Sequence, residues 1–111
     1  FAIVEWVDNN GMSWEIARTR TDWGGHMQPK WDHTCRGVPC DSAADCFAHF
    51  QVLEKNFSEI GIPTFCGSGY IAITDLMNFR DPPGVWSHVK PVVLSKHGKE
   101  TGSITVQAMV L

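Results

Sequence analysis

The side chains here able to do chemistry beyond packing are four cysteines, Cys35, Cys40, Cys46 and Cys66, and five histidines, His26, His33, His49, His88 and His97. Their spacing points away from catalysis. Cys46 and His49 lie three apart, and a strand turns such residues to opposite faces, so they cannot act as nucleophile and base within one element. No serine or cysteine sits in a nucleophile elbow, and Gly67-Ser68-Gly69 lacks the lysine and the helix that a phosphate loop needs. Asp41 and Asp45 flank the Cys40–Cys46 connection, where turn formation accounts for them. Zinc would draw on Cys35, Cys40 and Cys46 with His33 or His49, and the spacing makes that a weak signal. Two disulfides would suit a secreted or lumenal domain, with Cys40 and Cys46 closing a short loop. Reduced cysteines acting as small buried hydrophobes are the favoured reading, because Cys35, Cys46 and Cys66 fall in expected strands. No catalytic residue is assigned, and an enzyme is not expected.

The elements that must position these residues read as strands. Short runs of strong β-formers are separated by Asn9-Asn10-Gly11, Gly24-Gly25, Gly67-Ser68-Gly69, Pro82-Pro83-Gly84 and His97-Gly98. Ile104, Val106, Ala108 and Val110 alternate with Ser103, Thr105 and Gln107, the period of a strand with one buried face. Cys46, Ala48, Phe50 and Val52 make a second such face, with His49 and Gln51 on the other side. Phe1–Val7 is apolar on both faces except at Glu5, as a central strand should be. Asn10-Gly11 predicts a hairpin with a primed turn. Strands are expected at about 1–8, 13–21, 30–37, 45–53, 69–73, 86–94 and 103–111, and only Asp75–Phe79 and Ser42–Phe47 could support a helical turn. The spacing argues for a sandwich or barrel.

Three segments, in order, resemble the C2 domain, a β-sandwich family known for calcium-dependent membrane binding. The first is Arg18-Thr19-Arg20-Thr21, then Gly24-Gly25-His26 and Gln28-Pro29-Lys30-Trp31-Asp32. The second is Phe50-Gln51-Val52-Leu53-Glu54-Lys55-Asn56 followed by Phe65-Cys66-Gly67. The third is Lys99-Glu100-Thr101-Gly102-Ser103-Ile104-Thr105-Val106. The resemblance spans nearly the whole chain and implies a single domain over 1–111, an antiparallel Greek-key β-sandwich of seven to eight strands. Against it, Gln28 stands where the family has Asn, and the chain is expected to start after the family's first strand and first calcium loop. Phe1 in place of Met agrees with a processed form or a piece of a longer chain.

Calcium needs six to eight oxygens, largely from carboxylates. The second calcium loop, carried over by the resemblance, offers Glu54, Asn56 and Thr64, with Glu59 inside it. That is a degenerate set, so calcium is a possible cofactor and calcium independence the expectation. The resemblance also implies that Arg18 and Arg20, alternating around Thr19, form with Lys90 or Lys30 a basic patch for anionic phospholipid. Trp31 is read as structural, and Trp6 and Trp86 as core residues. Trp14 and Trp23 lie near turns, where an exposed indole can anchor a partner. Arg18, Arg20, Trp23 and Phe57 are the candidate lipid- or partner-binding residues.

Composition bounds the rest. The chain has 111 residues, 43% hydrophobic and 19% charged, with nine Lys+Arg against twelve Asp+Glu. Disorder and fibrous structure are excluded, no run approaches a membrane span, and the acidic balance disfavours nucleic acid. The expected function is a non-catalytic module docking to a protein partner or a membrane surface within a larger assembly, in the cytoplasm or at the periphery of a membrane. Its alternatives are calcium-dependent phospholipid binding, or a secreted, disulfide-stabilised adhesion or carbohydrate-binding sandwich using Trp14 and Trp23.

Overall fold

The computed structural model describes residues 1–8, 10–20, 46–55, 62–77 and 82–110. They form six strands and one helical turn: β1 (Ala2–Val7), β2 (Ser13–Arg18), β3 (Phe47–Glu54), β4 (Thr64–Ala72), α1 (Ile73–Leu76), β5 (Lys90–Lys96) and β6 (Lys99–Val106). The expectation of an all-β, antiparallel chain holds, since every pairing is antiparallel in one sheet of order β2-β1-β3-β4-β5-β6. β1 is central in that sheet, as its apolar faces require. The expected strand at 30–37 lies outside the described residues.

Two hairpins show how local sequence sets register. His97 and Gly98 have φ of 52° and 77°, the two positive values of a type I′ turn between β5 and β6. The β1–β2 turn departs from the primed form. Asp8 and Met12 face each other, with Asp8 N–H donating to Met12 O at 2.9 Å, so three residues make the loop. Gly11 takes φ 81° and donates to Asp8 O at 3.1 Å, while Asn10 keeps negative φ. The Asp8 carboxylate explains the choice, because its Oδ1 accepts from the N–H groups of both Asn10 and Met12 at 2.9 Å.

The core lies on one face of the sheet. Val4, Phe50 and Gly69 stand in one cross-strand row, and Trp6, Ala48 and Ile71 in the next. Trp6, Cys46, Ala48, Phe50 and Val92 are buried together with Ile73, and Val4, Ile16, Ile71, Met77, Ile104 and Val106 pack around them. α1 closes one end, with Ile73 N–H donating to Cys46 O at 3.0 Å. It starts two residues before the expected turn at Asp75, because Ile73 and Leu76 are the residues that reach the core. Trp86, expected in the core, is 49% exposed; it sits in a bridge with Met109 that extends the β5–β6 ladder.

Gly67-Ser68-Gly69 is a strand interior and not a turn. β4 begins five residues earlier than expected, and only Ser68↔Ser95 joins it in register to β5. Gly67 and Gly69 both face the core, and β5 crosses directly over them. A Cβ built on Gly69 would overlap the Val93 carbonyl oxygen and come within 3.0 Å of Val92 Cγ1. One built on Gly67 would collide with the Thr101 hydroxyl and lie 3.3 Å from Leu94 Cβ. Glycine here is a requirement of close backbone approach. The Gly69→Ala variant is expected to lose about 2 kcal/mol or more in urea denaturation, at the upper part of the usual overpacking cost, because the obstacle is backbone. Gly67→Ala should cost less, since the Thr101 hydroxyl can rotate away. Equal midpoints for Gly69→Ala and the unaltered protein would show that β5 does not lie against β4.

Candidate functional site

The face of the sheet opposite the core carries the polar and aromatic side chains that alternate with the core residues. In register across four strands stand Glu15, Glu5, His49 and Tyr70. Beside them, Ile3, Gln51 and Ser68 form the next row, and Val7, Phe47 and Ala72 the one on the other side. The pairing brings together residues up to 65 positions apart in the chain, which no local pattern announces.

Glu5 organises this face. Its Oε1 accepts from Gln51 Nε2 and from His49 Nδ1, the latter at 3.2 Å. Between a carboxylate oxygen and a ring nitrogen the nitrogen is the donor, so this contact selects the tautomer with hydrogen on Nδ1. The side chains of His49 and Glu5 are 14% and 21% exposed. His49 stacks on Tyr70 with ring centroids 4.2 Å apart, and Phe47 meets Tyr70 edge-on at 6.5 Å and 88°. Such offset and T-shaped contacts suit the ring quadrupoles. The outcome is a pair of exposed rings, Phe47 at 39% and Tyr70 at 61%, held from behind by a hydrogen-bonded carboxylate.

A carboxylate–imidazole pair orients a base, so a nearby nucleophile would suggest hydrolysis. The described residues do not supply one. Cys46 is buried on the core side, as the strand alternation required. Ser68 stands opposite Gln51, and no hydrogen bond joins it to His49 among the described residues. Cys66 is a half-buried thiol whose Sγ–H points to the Thr64 carbonyl at 3.6 Å. Among the described residues no cysteine or serine is hydrogen-bonded to the His49 imidazole.

The residues singled out from sequence are dispersed. Arg18 and Arg20 are both exposed around a buried Thr19, as alternation predicted. Thr19 is tied to β1, its Oγ1 accepting from Ala2 N–H at 2.8 Å. Arg18 Nη2 pairs with Glu15 Oε1 at 2.7 Å, and its guanidinium carbon lies 5.7 Å from the centroid of the Phe1 ring. That pairing sets a carboxylate beside one of the two arginines of the phospholipid reading. Lys90 begins β5 and Lys30 lies outside the described residues. Glu54 is exposed at the end of β3, opposite Thr64. Asn56, Phe57, Glu59 and Trp23 lie outside the described residues, as do Cys35 and Cys40. Among the described residues no three His, Cys, Asp or Glu side chains are grouped to hold a metal.

Sequence reasoning did not find Glu5, Gln51 and Tyr70 as a site. The signals were present singly: Glu5 as the one charge in an apolar strand, and His49 and Gln51 on the polar side of β3. Only the register unites them. No family model matches the chain, and neither a curated protein nor a solved structure does. No helix among the described residues is long and apolar enough to cross a membrane.

Removing the acceptor should be felt more than removing the surface pair. Glu5→Ala leaves two half-buried donors without their partner and is expected to cost about 1–3 kcal/mol. Arg18→Ala breaks an exposed pair and should cost less than about 1 kcal/mol. Urea denaturation of both variants checks this, and a larger loss for Arg18→Ala would remove Glu5 from its organising place.

Proposed function

We propose that the chain is a non-catalytic interaction module that docks on a protein partner within a larger assembly, without calcium and in the cytoplasm. The observation that carries this reading is the Phe47–Tyr70 pair, two exposed rings in edge contact on a sheet face, with Tyr70 stacked on a His49 that is itself hydrogen-bonded to Glu5. Aromatic side chains with little conformational freedom left to lose are the usual anchors of protein interfaces. A protein surface is favoured over an anionic membrane by charge. Arg18 is paired with Glu15, and with Arg20 and Glu5 counted the charges of this face balance among the described residues, which leaves no basic surplus there for a lipid headgroup.

The module is read as one domain over residues 1–111 with a C2-like sandwich architecture. In support, β5 lies close over the core-facing glycines of β4, and Val92 of β5 shares the core cluster with Trp6, Ala48 and Phe50, a closeness that a two-layered arrangement would require. The Greek-key part of that reading draws on the sequence segments alone. Among the described residues, β3, β4, β5 and β6 follow one another as neighbours, and the β2–β3 connection passes β1.

Site-specific photo-crosslinking tests the docking face. A benzophenone side chain at position 70, in extract of the source cells, should give a discrete protein adduct that Phe47→Ala suppresses. The same probe at exposed Met12 should not give that adduct. Co-sedimentation with phosphatidylserine vesicles, with and without calcium, should show no binding in either condition. Calcium-dependent sedimentation without a position-70 adduct would replace a protein partner by a lipid surface.

A further inference from the structure

Among the described residues the sheet ends on two unequal strands. β2 is six residues long, and the register break between Val4 and Glu5 interrupts it at mid-strand, leaving Ile16 as the extra residue. A bulge twists an edge away from further pairing, and Glu15 and Arg18 add charge there. β6 is eight residues long and its irregularity lies near the turn, between Leu94 and Ser95. From Leu94↔Gly102 to Lys90↔Val106 five successive pairs are unbroken. In an antiparallel pair every second residue turns its N–H and C=O away from its partner strand. Among the described residues, β6 is paired with β5 on one side and with nothing on the other. Gly102, Ser103 and Thr105 are exposed, and no proline interrupts the strand.

Charge narrows what can pair there. The β5–β6 hairpin carries Lys90, Lys96 and Lys99 against Glu100 alone, with His97 at its tip. The chain as a whole has a formal net charge of −3, so this hairpin is a local basic region on an acidic protein. A second copy would bring the same basic hairpin to the edge, whereas an acidic chain complements it.

We propose that the Gly102–Val106 stretch of β6 accepts an extended strand of a protein partner, with acidic residues of that strand meeting Lys96 and Lys99. This is a surface separate from the Phe47–Tyr70 face, and it does not depend on that face being used. Backbone hydrogen bonds along the edge supply the affinity, the exposed Val93 side chain beside β6 offers apolar contact, and the lysines set the direction of the added strand.

The probe is a fluorescein-labelled peptide of alternating threonine and valine that ends in two aspartates, with a two-lysine version as control. Amide hydrogen exchange of the full chain, with and without the aspartate peptide at millimolar concentration, should slow at alternate residues of Gly102–Val106. The double variant K96E/K99E, altered only at the exposed end of the hairpin, should weaken binding about tenfold at low salt and less at high salt. Tyr70→Ala should leave the affinity unchanged. Unchanged exchange along β6, or equal binding of the lysine peptide, would overturn the proposal. Loss of binding in Tyr70→Ala would move the peptide to the other face.

Discussion

The contact on which the rest of this structure depends is the crossing of β5 over β4 at Gly67 and Gly69. Without a Cβ at either position, the Val93 and Ser95 carbonyls and the Leu94 side chain approach the β4 backbone directly. That approach lets a sheet joined at this point by one registered pair, Ser68↔Ser95, fold its last hairpin onto its own core face. Val92, Ile104 and Val106 then reach Trp6 and Phe50, and the apolar surface of β1 and β3 leaves water. Packing is short-ranged, so a crossing a methyl group wider would forfeit a large share of those contacts.

The same crossing gives the two faces of the β1–β3–β4 region their different fates. The face under β5 is filled by aliphatic and aromatic side chains. The other presents Glu15, Glu5, His49 and Tyr70 in one row, and its carboxylate spends its hydrogen-bonding capacity on holding neighbours in place. Glu5 is thereby linked to Tyr70, two strands away, through the His49 ring that stacks on it. On this face the His49 imidazole lies against the Tyr70 ring, while Cys46 is buried in the core on the other side.

Edges complete the picture. β2 is broken by a bulge at its middle and β6 only near its turn, so the sheet is guarded at one end and regular at the other. The polar, lysine-bearing character of β6 keeps that regular edge compatible with water. Its side chains alternate over its last four residues, with Ile104 and Val106 half-buried and Ser103 and Thr105 exposed.

Much of this was legible in the residues. Period-2 alternation marked Cys46–Val52 and Ser103–Val110, the second of which stays in a strand only to Val106, the apolar Phe1–Val7 marked a strand flanked on both sides, and His97-Gly98 marked a tight turn. All of these are local, carried by neighbours in the chain, and the structure agrees with them. Gly67-Ser68-Gly69 misled, because glycine serves turns and close backbone approach alike, and sequence does not say which surface will be approached. The primed β1–β2 turn misled for a similar reason: Asp8 lies outside Asn10-Gly11, yet its carboxylate sets the loop. Register was beyond reach altogether. A slip of one residue reverses every side chain of a strand. The meeting of Glu5, His49 and Tyr70 is thus a property of pairing between strands that the chain itself leaves far apart. Sequence determined which segments are strands and which of their faces are apolar, through the chemistry of adjacent residues. Tertiary structure alone decided which strands lie side by side and what their outer faces assemble, because that depends on a core whose members no local rule connects.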